Sequence, residues 1–249
     1  MSERVPPWLQ PTVDRIAEPR TSEIGDLPLG AATGALADLL RWWLARSFPY
    51  GGVTNEGGND AGVWKRPVVD VVVGRGSIAD GVAAAERAVD GGANLIVPRI
   101  VERDDVGSRA LIALLCNRDA AAVMSQPDGM SDRAWMDECV AVRDAVTEAV
   151  ELRGTPVDLV ETAGSAAHAY AVGVLLGAAA RSTPCLLNGV ELLAAALVAD
   201  RIAYRASRWW RLGSRSPDPG VIAAADRMGL DQGLPLDLTD DEGLGAQAT

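Results

Sequence analysis

Four carboxylates crowd the stretch LPLDLTDDEGLGAQAT at residues 234–249: Asp237, Asp240, Asp241 and Glu242, closed by Gly243 and Gly245. Carboxylates in such company are either a solvated acidic tail or a place where one group does chemistry. Like-charged neighbours raise a carboxyl pKa toward the working range of a general base. Two further constellations could handle an anion. The GRGS turn, Gly74–Ser77, joins a predicted strand to a predicted helix N-terminus, where backbone N–H groups and the helix dipole favour negative charge. A bare Gly-x-Gly is equally an ordinary turn. Arg201, Arg205, Arg208, Arg211 and Arg215 follow steps of 4, 3, 3 and 4, which lines one face if a helix continues that far. Such a stripe binds phosphate, or pairs with acidic neighbours or a partner subunit.

Other chemistry is poorly supplied. His168 is the only histidine, so a Ser-His-Asp triad or a multi-histidine metal site would rest on one residue. Cys116, Cys139 and Cys185 are widely spaced and odd in number, which fits buried thiols in a reducing cytosol rather than a disulfide framework or a metal site. No cofactor is implied. With 23 Lys+Arg against 34 Asp+Glu the net charge is −11, a field that repels nucleic-acid backbones and anionic lipid. Apolar runs are too short to span a bilayer, and MSERVPPWLQPTVDR has no apolar leader region, so a cytoplasmic protein is expected.

The elements that must position these groups follow from periodicity. Residues 1–30 carry five prolines and no sustained period, an irregular arm. TGALADLLRWWLAR from Thr33 predicts a helix with Leu36, Leu39, Leu40, Trp43 and Leu44 on one face. The glycine-rich PYGGVTNEGGNDAG follows as a connector or lid. PVVDVVV is a β-branched strand, Ser77 caps an alanine-rich helix that Gly91 and Gly92 end, and ANLIVP is the next strand, giving a β-α-β unit. Helices are predicted at 107–116 and 132–151, then over AAHAYAVGVLLGAAA; TPCLLN is a short strand, and helices return at GVELLAAALVADRIAYRA and PDPGVIAAADRMG. Aromatics are only 4% of the chain, so Ala, Val and Leu build the core. The Trp42-Trp43 and Trp209-Trp210 pairs read as packing or interface aromatics. The expected fold is α/β, a parallel sheet flanked by helices, doubly wound and Rossmann-like in three layers, with an irregular or helical N-terminal arm. Residues 1–66 form the arm, helix and Gly-rich loop; residues 67–249 form the α/β domain. Ligands in such sheets bind beyond the carboxyl ends of the strands, here at Gly74–Ser77, Pro98–Gly107, Asn188–Glu191 and the acidic C-terminal segment.

TPCLLNGVELLAAALVADRIA, RSPDPGVIAAADRMGL and LPLDLTDDEGLGA resemble, in order, the last third of the nicotinate-nucleotide–dimethylbenzimidazole phosphoribosyltransferase family. Upstream the resemblance runs through VETAGSAAHAYAVGVLLGAAAR to about Gly76, roughly two-thirds of the chain. It implies transfer of phosphoribose from nicotinate mononucleotide to a benzimidazole-type base, a step in making the lower ligand of cobamides. It also implies Glu242 as the catalytic base and Gly243, Gly245, Gly189 and Gly164 at the substrates, with a nucleotide and an aromatic base as small-molecule partners. Members of the family are dimers, so a homodimer or heterodimer is expected.

The chain departs from the family where the phosphate should sit. The glycine-rich phosphate loop is replaced by PRIVERDDVGSRA, with Glu102, Asp104 and Asp105 where an anion would bind and Arg99, Arg103 and Arg109 nearby. Two like charges about 4 Å apart cost about 4 kcal/mol at an effective dielectric of about 20. Glu138 stands where the family has lysine, Ser214 and Val221 replace two histidines, and Asp218 replaces a glutamate. The family's Gly-Gly-Phe-Glu reads Gly164-Ser165-Ala166-Ala167. Three readings follow: an active phosphoribosyltransferase with an altered donor site, a non-catalytic paralogue or hetero-oligomer subunit that has lost the phosphate site, and an α/β enzyme for another anion using GRGS and the arginines.

Overall fold

In the computed structural model, which describes residues 5–19, 34–47, 68–101 and 103–231, four parallel strands pair in the order β1-β2-β3-β4. They are β1 (Val68–Val73), β2 (Leu95–Ile100), β3 (Cys185–Leu187) and β4 (Trp210–Leu212). The helices are α1 (Gln10–Asp14), α2 (Gly34–Ser47), α3 (Ile78–Asp90), α4 (Asp105–Cys116), α5 (Asp132–Ala149), α6 (Pro156–Ala163), α7 (Ala166–Ala180), α8 (Val190–Ile202) and α9 (Pro219–Met228).

The sheet's two faces follow from the two-residue period of a strand. Ile96, Ile100, Cys185, Leu187, Trp210 and Leu212 join one core cluster, shared with α3, α4, α7 and α8. The alternate residues Leu95, Val97 and Leu186 join a second cluster with Leu39, Leu40, Trp42 and Trp43 of α2. Three layers result, as the sequence implies. The strand order has no reversal among the described strands, so the connecting helices lie on one face and the sheet is singly wound, not doubly wound as expected; among the described helices only α2 covers the other face. Arg211, also on the α2 side of β4, donates from Nη1 to the Asp38 carbonyl at 3.1 Å. Burial first, and then the charge of Arg211, lower the Arg46 guanidinium to about 10; it stacks 4.8 Å above the Trp42 ring and donates to the Arg208 carbonyl.

Small side chains let α3 and α7 cross at backbone contact. A Cβ on Gly81 would collide with the Tyr170 carbonyl, and one on Gly173 with the Ile78 carbonyl. Helix α7 is buried nearly throughout, the outcome expected of its apolar circumference. Its limits coincide with AAHAYAVGVLLGAAA, and Ser77 caps α3 as the sequence implies.

Two elements differ from sequence expectation. The predicted helix GVELLAAALVADRIAYRA stops at Ile202, a 3₁₀ turn spans Tyr204–Trp209, and β4 follows. The arginine stripe therefore does not lie on one helix. Arg205 and Arg208 face Glu18, Arg211 reaches α2, and Arg201 and Arg215 fall at opposite ends of the sheet. Helix α6 was also not expected; its eight residues are too few to show a period. Both tryptophan pairs are buried, which settles them as packing rather than interface aromatics.

Candidate functional site

Parallel strands deliver all their carboxyl ends to one rim. The loops gathered there hold Gly74–Ser77, Val101, Arg103, Asp104, Asn188–Gly189 and Gly213–Asp218. Helix α7 runs back toward the start of β3, so its N-terminus returns to the same rim, where the Ala166 carbonyl accepts from Gly76 N–H at 3.4 Å.

Helix N-termini at this rim are potential anion sites, and most are already filled by the chain's own side chains. At α3 the Asp80 carboxylate accepts from Ser77 N–H at 2.8 Å and Ser77 Oγ at 2.7 Å. The Ser77 backbone N–H, above all, holds the Asp80 carboxyl below its ordinary pKa. The GRGS turn thus hosts an internal carboxylate. At α4, Asp104 accepts from Gly107 N–H at 3.0 Å, where the resemblance would place a phosphate loop. At α9, Asp218 accepts from Gly220 N–H at 2.7 Å and Val221 N–H at 3.1 Å. Helix α7 begins with a capping box of Ser165 and His168. Helix α8 differs: its N-cap, Gly189, has φ 87° and ψ 152°, a conformation that suits glycine, and brings no capping side chain of its own, while the buried Glu191 lies in the first turn.

Polar links hold these loops in place. His168 is buried; its Nδ1 accepts from Ser165 N–H at 3.1 Å, which puts the ring proton on Nε2, 2.8 Å from Ser108 Oγ. Ser108 Oγ in turn donates to the Asp104 carbonyl at 2.7 Å. Burial lowers the His168 pKa to about 4, against the opposing effect of Asp104, whose carboxylate lies 3.8 Å away. The ring is neutral at physiological pH. Arg109 makes a second link, donating from Nη2 to Asp218 at 2.8 Å and to Ser125 Oγ at 3.1 Å, and from Nη1 to Asp218 at 3.3 Å and to the Val123 carbonyl. Burial pushes the Asp218 carboxyl up, but the Arg109 hydrogen bonds and charge, with the Val221 N–H, outweigh it and leave the pKa lowered. Third, Ser214 Oγ donates to Asn188 Oδ1 at 3.0 Å, tying the loop after β4 to the loop after β3.

Of the residues singled out from the sequence, Gly189 and Gly164 both lie at this rim. Gly164 closes α6, where a Cβ would press on the Val160 carbonyl. With Asp104, Gly107, Glu148 and Thr162 it lines a cavity of about 200 Å³. Glu242, Gly243, Gly245 and Glu102 lie outside the described residues. Glu138 is exposed on α5, whereas Ser214 and Val221 are buried. Sequence reasoning missed Ser108, Arg109, Asn188 and Ser214 as links between loops, and His168 as their buried hub. A serine followed three residues later by histidine at the head of an apolar helix was the available signal, as was a lone arginine inside VGSRALIALLC.

An open parallel sheet with helix N-termini gathered at its carboxyl rim is the architecture of ligand-binding α/β proteins. A family model described as DBI_PRT, phosphoribosyltransferase, matches residues 69–249, and the chain belongs to this family. It is 42% identical over 168 residues to a Streptomyces avermitilis nicotinate-nucleotide–dimethylbenzimidazole phosphoribosyltransferase, covering 67% of this chain and 45% of the relative. A Mycobacterium tuberculosis protein of the same name is 38% identical over 171 residues, 68% of this chain and 47% of the relative. Among solved structures, CobT from Thermus thermophilus superposes with a TM-score of 0.62 at 27% identity, over 67% of this chain and 50% of that one. The chain spans about half the length of the relatives it matches.

Proposed function

We propose that this chain transfers phosphoribose from nicotinate mononucleotide to a benzimidazole-type base, with the substrates seated over the carboxyl rim of the sheet and Glu242 as general base. One azole nitrogen attacks C1′, the bond from C1′ to the nicotinate ring nitrogen breaks with its electron pair leaving on nicotinate, and Glu242 takes the proton from the other azole nitrogen. Gly189 and Gly164 approach the substrates from the rim, and Gly243 and Gly245 from the closing segment.

The observation that carries this reading is the continuity of the family match from residue 69 to residue 249, which takes in every rim loop and Glu242. Chain length supports it. Helix α9 descends to the amino edge of the sheet and Leu230 follows it, with twelve residues from there to Glu242. Twelve extended residues reach about 40 Å, and strands of six residues stand only about 20 Å high. Glu242 can therefore reach the rim. The phosphate is assigned to the N-terminus of α8, where Gly189 carries no side chain and lets a ligand approach the backbone closely.

The reading includes a cytoplasmic homodimer or heterodimer. Light scattering on the isolated chain should give twice its 26.0 kDa mass if it is a homodimer. The functional test combines calorimetry with nicotinate mononucleotide and chromatography of a mixture containing dimethylbenzimidazole. Binding together with a ribosylated benzimidazole phosphate supports the reading. A folded chain that neither binds the nucleotide nor forms the product removes it.

A further inference from the structure

At the edge of the sheet opposite the rim, three arginines from separate elements converge on one cavity. Helices α8 and α9 both run down from the rim, so Arg201 and Arg227 in their last turns come together at the amino edge. Arg153, from the 3₁₀ turn Val150–Gly154, completes the set around a cavity of about 530 Å³. We infer that this cavity is a second anion site, which takes the phosphate group of a small phosphorylated molecule or free phosphate itself.

Four observations carry the assignment. Arg153 is fixed in place: Nε donates to the Leu114 carbonyl at 2.8 Å, and Nη2 to the same carbonyl and to Asn117 Oδ1 at 3.1 Å. Its Nη1 lies outside those bonds. Arg201 and Arg227 are exposed, and neither forms a salt bridge among the described residues; the nearby Asp200 attracts both. The N-terminus of α6 contributes too, since Gly154 and Pro156 line the cavity and the N-cap Thr155 makes no side-chain cap. Pro156 brings no N–H and the Thr155 N–H is held by the Leu152 carbonyl, so this end adds to the guanidinium groups through the positive end of the helix dipole alone. Finally, Tyr204 stands 71% exposed on the lip, where its ring can stack on the organic part of a phosphate ester.

The charge balance also selects the ligand. Three arginines face Asp200 and Asp226, so the lining is net positive in a chain of net charge −11. Guanidinium groups recognise phosphate oxygens by paired hydrogen bonds, which favours a dianion over a carboxylate. The site is separate from the rim where the transfer reaction is placed, so its occupancy does not depend on that reading.

The test is site-resolved. Inorganic phosphate and ribose 5-phosphate are titrated separately into the ¹⁵N-labelled full chain, and the Gly154 and Gly229 amides in the cavity wall are followed with Gly189 at the rim. The assignment expects saturable shifts at Gly154 and Gly229, and at least a tenfold weaker response there in Arg201→Gln/Arg227→Gln. Both positions are exposed, and Arg227→Gln alone serves as a milder second variant. Tighter binding of ribose 5-phosphate would assign the site to an ester, and equal binding to the free ion. Shifts confined to Gly189, no saturable shift, or an unchanged response in both variants would overturn it.

Discussion

Ser108 Oγ lies 2.8 Å from Nε2 of His168, joining the first turn of α4 to the first turn of α7 across sixty residues of sequence. Because Nδ1 already accepts from Ser165, the ring can serve this bond only as the neutral tautomer protonated on Nε2. The Asp104 carbonyl accepts from Ser108, so one imidazole fixes two of the helix starts at the rim.

A pH dependence follows. Burial depresses the His168 pKa from 6.5 to about 4, so between those values the unfolded chain binds the proton that the folded chain refuses. Stability falls as pH drops from 6.5 toward 4, by about 3 kcal/mol over the whole window, and levels off below it. Urea unfolding at half-unit pH steps measures this. In His168→Gln the slope across the window should flatten, and parallel curves for the two proteins would contradict the neutral assignment.

Arg109 and Asp218 form the other buried connection, with side chains 8% and 18% exposed. Breaking such a pair strands a charge, which costs about 3–5 kcal/mol. Arg109→Met should lose stability of that order in urea. Asp218→Asn should lose less, because the amide oxygen can still accept from Gly220 and Val221.

Gly173 is a packing prediction. Its α-carbon faces the Ile78 carbonyl, and an added methyl has nowhere to go without separating α3 from α7. Overpacking typically costs about 1–3 kcal/mol, and Gly173→Ala should meet or exceed the top of that range in thermal unfolding. Gly177→Ala presses on Ala85 Cβ and the Val82 carbonyl at 3.0 Å and should cost less.

Gly189→Ala tests the rim. At φ 87° a Cβ is strained, by about 1–3 kcal/mol. The loop should shift, weakening nucleotide binding measured by calorimetry more than the small change in unfolding midpoint alone would explain.

Much of the architecture was legible because it is local. Ser77 followed by an alanine-rich run, the wholly apolar stretch of α7, and Pro219 with Gly229 around α9 each declare an element within a few residues. Strand β4 was not legible. Three residues, WRL, sit among arginines whose spacing mimics a helix, and only pairing with β3 makes them a strand. The rim residues divide the same way. Gly189 and Gly164 stand out through the resemblance, whereas Arg109 and Asp218 are 109 positions apart and reveal their pairing only when α9 returns beside α4. The capping of α3 and α4 by Asp80 and Asp104 likewise turns two apparent anion sites into closed ones, a distinction that side-chain geometry alone carries.

The central claim is that Glu242 accepts the azole proton in transfer from nicotinate mononucleotide. The direct measurement is the rate at which the full chain converts nicotinate mononucleotide and dimethylbenzimidazole to the ribosylated base, compared with Glu242→Gln. Loss of a general base typically costs about 10²–10⁴-fold. The account predicts a fall of that size, with unfolding midpoint and nucleotide affinity unchanged. Equal rates in the two proteins would contradict it.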